Sequence, residues 1–157
     1  HHAYYPIIQF LRQRILVQQP DISRDSISAF LFSLKIKAPS SAEPLQRLLC
    51  ISEGMMAADS PDPFSAGEEF HQMLYQILFK LITGDPRGAI LLDDAQWVDE
   101  STLGILDELL KTEVPGLPVM LVTQRSGLDS EFIHLHDFEC VDLLALEDRY
   151  ILEIVSI

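Results

Sequence analysis

The stretch AILLDDAQWVDESTL, residues 89–103, decides the fold: four apolar residues deliver two adjacent carboxylates, Asp93 and Asp94, to the end of a segment that reads as a buried strand, and a helix follows. A short apolar strand ending in paired acids is a common way to hold magnesium and aim water at a phosphate. No stretch reads GxxxxGK[ST], and Lys35, Lys37, Lys80 and Lys111 lack the glycine framing of a phosphate-cradling loop. The nearest candidate, Lys111-Thr112, ends a helical LLKT run. The chain therefore carries one half of a nucleotide site.

Working outward, the helix before this strand is the best specified. Ser65 and Glu68 have capping-box spacing, and Phe70, Met73, Leu74, Ile77, Leu78 and Leu81 form an apolar face that ends near Thr83-Gly84. DPRG, 85–88, leads directly into AILL, as expected when a helix feeds a parallel sheet. After the acidic pair, Asp99 or Ser101 can cap a helix that buries Leu103, Leu106, Leu109 and Leu110. PGLP, 115–118, closes the crossover, and VMLV, 119–122, reads as a second fully buried strand. Two strands joined by a helix point to α/β architecture.

The amino-terminal part reads as helices. Pro6 suits a first turn, with Ile7, Ile8, Leu11 and Ile15 on one face. Ile27, Phe30, Leu31 and Leu34 repeat the spacing, APSSAEP at 38–44 interrupts it, and Leu45, Leu48, Leu49 and Ser52 resume it. MAADSPDPF, 56–64, is a turn-rich joint, and Met55 and Met56 are packing residues. Towards the carboxyl end, FIHL, 132–135, or FECVDL, 138–143, supplies an edge strand, and Asp142 opens a loop into another helix. The expected organisation is a mainly helical region over 1–64, an α/β core over 65–143 and the start of a further helix over 144–157. Both ends read as cuts through something larger, and His1-His2 as native residues or a tag remnant.

Composition removes several function classes. The 157 residues are 48% apolar, enough for one substantial core. With 24 acids against 11 bases the formal charge is −13, which disfavours nucleic acid and anionic membranes as partners. Cys50 and Cys140 have no metal-ligand or redox spacing and fit reduced thiols in the cytoplasm. No run approaches about 18 apolar residues, so membrane spanning is not expected. The GxSxG, C-x-x-C and HExxH signatures are absent. His71 is expected to be structural or exposed. His134 and His136 would share one strand face near Asp137, a set too small for zinc.

LLDDAQWVDESTLGILDELL, 91–110, resembles the Walker B segment of the AAA-like, signal-transducing P-loop ATPase domains found beside bacterial cyclase domains and in large LuxR-type or MalT-like transcriptional regulators. Asp93-Asp94 match the acidic pair, Trp97 the tryptophan, Asp99 the later aspartate, and Ser101-Thr102-Leu103 the helix entry. Gln96 replaces the common histidine and Glu100 the common proline. YYPIIQFLRQRI, 4–15, looks like the segment after the P-loop helix, PVMLVTQRS, 118–126, like the next core strand with its sensor region, and FECVDLLALED, 138–148, like the entry to the helical lid. The resemblance is strongest over 89–125 and weak over 20–65.

The resemblance implies a partial P-loop NTPase-type three-layer fold with a parallel sheet and a helical insertion before it. It implies ATP and Mg2+ as cofactors of the intact parent. One of the pair, Asp93 by first choice, binds the magnesium shell and the other, Asp94, positions hydrolytic water, with the assignments exchangeable and both counted as metal ligands. Arg125 matches the arginine after the sensor strand, a nucleotide sensor or else a local salt bridge or surface residue. Trp97 is expected to be a packing anchor behind the acidic turn, with adenine stacking the alternative. The upstream P-loop region and an attached output domain are the implied partners, with a protein partner or a homo-oligomer as a further one. Without the P-loop, little turnover is expected of this chain alone. The alternative is a non-catalytic regulatory or protein-interaction module with the same fold.

Overall fold

The computed structural model describes residues 3–19, 21–36, 42–51, 67–84, 88–112, 119–125, 131–134, 136–143 and 145. Among these residues four α-helices precede a small parallel sheet: α1 Tyr5–Gln18, α2 Arg24–Ser33, α3 Ala42–Ile51 and α4 Gly67–Thr83 lead to β1 Ala89–Leu92. Helix α5, Glu100–Lys111, crosses over to β2, Val119–Val122, and a short α6, Glu131–His134, follows. The strands pair in parallel with Ala89 opposite Val119 and Leu92 opposite Val122. This is a mixed α/β arrangement with a two-stranded sheet among the described residues.

The helical faces form one core. Leu11, Ile15, Ile27, Leu31, Leu45, Leu48, Leu49, Leu74, Ile77 and Ile105 are all fully buried, and one apolar cluster runs from α1 through α5 to Phe132. Helix α1 is the link, since it packs against α2, α3 and α5. Helix α2 is capped by Ser23, whose hydroxyl accepts the Ser26 N–H. Helix α3 starts at Ala42 rather than after Pro44, because a proline in the first turn has no helical hydrogen bond to forfeit. Gly84 ends α4 where a Cβ would stand 2.9 Å from the Lys80 carbonyl oxygen, too close for any side chain.

Several expectations are corrected. Helix α5 buries Thr102, Ile105, Leu106 and Leu109, while Leu103 and Leu110 are only partly buried. Its inward face is rotated towards α4 and α1, and a leucine-rich helix offers two adjacent apolar stripes between which leucine content does not choose. Asp99, not Ser101, is the cap. Residues 132–134 of FIHL are helical rather than an edge strand, residue 135 lies outside the described residues, and 138–143 carry no ladder. Helix α6 instead drives Phe132 into the core and stacks it edge-on against His136. The strands are also not fully buried. Leu91, Val119 and Leu121 are 65%, 75% and 59% exposed, whereas Ile90, Leu92, Met120 and Val122 turn inward. Alternate residues point to opposite faces, and among the described residues helices cover one face only. Ser52, Met55, Met56, the 56–64 joint, Ser65 and all of 146–157 lie outside the described residues. Among those described, no helix is long and apolar enough to cross a membrane.

Candidate functional site

The acidic pair emerges at the carboxyl end of β1, where parallel sheets gather ligand-binding loops. Strand register dictates its surroundings. Because Leu92 pairs with Val122, the next residue on each chain, Asp93 and Thr123, must stand side by side. Thr123 then fastens the turn at four points. Its N–H donates to the Leu92 carbonyl at 2.9 Å, and its own carbonyl accepts the Ala95 N–H at 2.8 Å. Its hydroxyl accepts the Asp94 N–H at 2.9 Å and donates a short hydrogen bond to Asp93 Oδ1.

Asp94 supplies the bend that adjacent strand residues need if both are to serve one site. Its backbone is left-handed, φ 52° and ψ 51°, a region that aspartate tolerates better than most side chains. A single 3-10 turn, Ala95–Trp97, follows. That turn buries Ala95 and leaves Trp97 60% exposed, so Trp97 is not the packing anchor expected of it. With about three residues per turn, side chains leave at wide angles, and only one of the three can face the core. Gln96 completes the rim: Nε2 donates to Asp94 Oδ1 at 2.8 Å and Oε1 accepts the Arg125 N–H at 3.3 Å.

Arg125 therefore lies at the same end of the sheet as the acids, on an exposed stretch just past β2, and it meets the acidic turn through its backbone. Asp93 and Asp94 are exposed hard-oxygen donors. Among the described residues no set of three His, Cys, Asp or Glu gathers to hold a metal. Two carboxylates still suit magnesium, which commonly keeps several waters and takes one or two protein oxygens beside phosphate. Phosphate-cradling backbone does not accompany them among the described residues, so the donor set fits the cation and only part of a nucleotide.

Asp99 serves as a structural hub. Oδ1 accepts both the Thr102 N–H at 2.9 Å and the Tyr4 N–H at 2.8 Å, and Oδ2 accepts the Thr102 hydroxyl at 2.8 Å. The residue that caps α5 thereby also pins the start of α1. Tyr4 is itself left-handed, φ 59°, and its hydroxyl lies 3.3 Å from His71 Nδ1. Burial pushes its phenol up, a hydrogen bond from Ser101 opposes this, and the Asp99 charge adds to it. His71 Nε2 continues the chain to Glu108 at 3.1 Å.

The shared strand face expected of His134 and His136 is not there, because residue 134 ends α6 and His136-Asp137 lie on a turn. His136 instead reaches Asp107 at 3.1 Å, beside Lys111 at 2.7 Å. The Lys111 hydrogen bond is the largest cause holding the Asp107 carboxyl below its ordinary value, against a smaller desolvation effect, with the Lys111 and His136 charges assisting. Cys140 is an exposed free thiol.

Thr123 is the site residue that the sequence reading missed. Its signal was a hydroxyl immediately after the second apolar strand, informative only once the register is known. A mostly apolar cavity of about 350 Å³ runs along β1, lined by Phe10, Leu78, Leu81, Ile82, Ile90 and Leu92, and neither Asp93 nor Asp94 lines it. Comparison of the chain with family models, curated proteins and solved structures finds no match.

Proposed function

We propose that this chain is part of an ATP-binding, ATP-hydrolysing regulatory module that acts on a signalling or transcriptional output domain. The observation that carries the proposal is the acidic pair at the carboxyl end of a parallel strand, tied through Thr123 to the exit of its neighbour. In this proposal Asp93 and Asp94 hold Mg2+, which when bound screens phosphate charge. Asp94 orients the attacking water, and Arg125 approaches the terminal phosphate from the β2 exit. The phosphate-cradling loop is supplied by a part of the parent upstream of these residues. Its absence from the sequence is why the chain alone is expected to bind ATP weakly and turn over little.

The exposed apolar sheet face, Leu91, Val119 and Leu121, favours a second reading as a non-catalytic interaction module. ATP binding and turnover decide between them, measured on the full-length parent beside this chain with Asp93→Asn and Asp94→Asn. Turnover by the parent, lost in either variant, supports the catalytic module. No Mg2+-dependent binding or turnover by a folded parent overturns it.

A further inference from the structure

Gln96 is the only side chain among the described contacts that holds the Asp94 carboxylate. Thr123 fixes the Asp94 backbone and the Asp93 carboxylate, but the Asp94 side chain points to the Gln96 amide instead. The two ends of that amide serve different elements: Nε2 donates to Asp94 Oδ1, and Oε1 accepts from the Arg125 backbone. A carboxylate only accepts and a peptide N–H only donates, so the flipped amide would face two like partners and is excluded. The bridge is therefore directional. Because an amide does not titrate near neutrality, it transmits position rather than charge.

We infer that Gln96 is a positioning residue that couples the aim of the Asp94 carboxylate to the position of the Arg125 segment at the β2 exit. The inference rests on the magnesium reading of the acidic pair and extends it. A phosphate drawing Arg125 inward pulls on Gln96 Oε1, and the other end of the same amide turns Asp94. Thr123 supplies the fixed frame against which that turn occurs.

The test is an amide NMR titration of this chain with MgCl2, in the native sequence and in Gln96→Ala, Gln96→Glu and Asp94→Asn. Circular dichroism confirms that each variant is folded. In the native chain the Asp94 and Arg125 amide signals should move on one saturation curve. In Gln96→Ala the Asp94 response should remain and the Arg125 response should be lost. Gln96→Glu keeps the acceptor for Arg125 but sets a second negative charge against Asp94, and it should break the shared curve too. An unchanged Arg125 response in Gln96→Ala overturns the inference and assigns the coupling to Thr123. If Mg2+ moves neither signal in the native chain, the magnesium reading fails, and the metal-free spectra then decide the coupling. An Asp94→Asn change that shifts the Arg125 amide in the native background but not in the Gln96→Ala background supports the bridge, and one that shifts it equally in both overturns it. In the active parent, Gln96→Ala should lower kcat by about tenfold to a hundredfold with KM for ATP little changed, the signature of a misaimed group.

Discussion

Replacing Asp99 with alanine removes one carboxylate from three donors, and the structure sets the size of the effect. Loss of the α5 cap costs about 1 kcal/mol. The Thr102 hydroxyl, on a residue 1% exposed, loses its acceptor, and a buried polar group left unpaired costs about 1–3 kcal/mol. The Tyr4 N–H loses its partner at the point where α1 begins, which adds up to about 1 kcal/mol because that site is only partly buried. Asp99→Ala is therefore expected to destabilise by about 3 kcal/mol, a fall in Tm of roughly 6–12 °C for a chain of this size. Urea unfolding read by circular dichroism measures it. Asp99→Asn keeps an acceptor for both backbone N–H groups and should cost about 1 kcal/mol or less. In the Asp99→Ala background, Thr102→Val should restore part of the lost stability, since it deletes the orphaned hydroxyl but leaves the cap and the Tyr4 N–H unrepaired. An Asp99→Ala variant within about 0.5 kcal/mol of the native chain would refute the hub.

The remaining expectations test packing and charge. Ile105→Ala, at a fully buried position on α5, should cost about 2–4 kcal/mol and Leu103→Ala clearly less, both read by urea unfolding; equal costs would contradict the rotated face. Asp107 has a lowered folded pKa, so its contribution is complete above the ordinary carboxylate value of about 3.9 and disappears as pH falls through the lowered value. Asp107→Asn should consequently cost under about 1 kcal/mol at neutral pH and converge with the native chain in acid, as unfolding at several pH values will show. Leu121→Ser, on the exposed sheet face, should change stability by less than about 0.5 kcal/mol, and a cost above 2 kcal/mol would show that the face is covered.

The helices were legible because their burial follows a period that sequence records. Ile7, Ile8, Leu11 and Ile15, and then Ile27, Phe30 and Leu31, are expected inward residues and are buried, whereas Leu34, expected with them, is the C-cap of α2 and only partly buried. Helix α5 was located but rotated, since Ile105 sits beside four leucines of similar hydropathy and only contact with α4 and α1 selects the stripe. Residues 131–134 failed for another reason. FIHL has the composition of a strand, but four residues have no intrinsic period to defend, and Phe132 is buried against His136 and Phe138 from a helical turn.

The site divides along the same line. Its acids were legible because a strand that ends in two carboxylates is a local pattern. Thr123 and the role of Gln96 were not, because each is defined by a partner about thirty residues away. The link is register: placing Leu92 opposite Val122 brings Asp93 to Thr123, and the left-handed turn at Asp94 then carries Gln96 to the Arg125 backbone. A one-residue slip of β2 would exchange the faces of Met120 and Leu121 and would put Gln124 or Val122 where the threonine hydroxyl now stands. Neither offers a short hydroxyl that accepts from Asp94 while donating to Asp93. The inward burial of Met120 and Val122 therefore protects the geometry of the acidic turn, and the core selects the register on which the site depends.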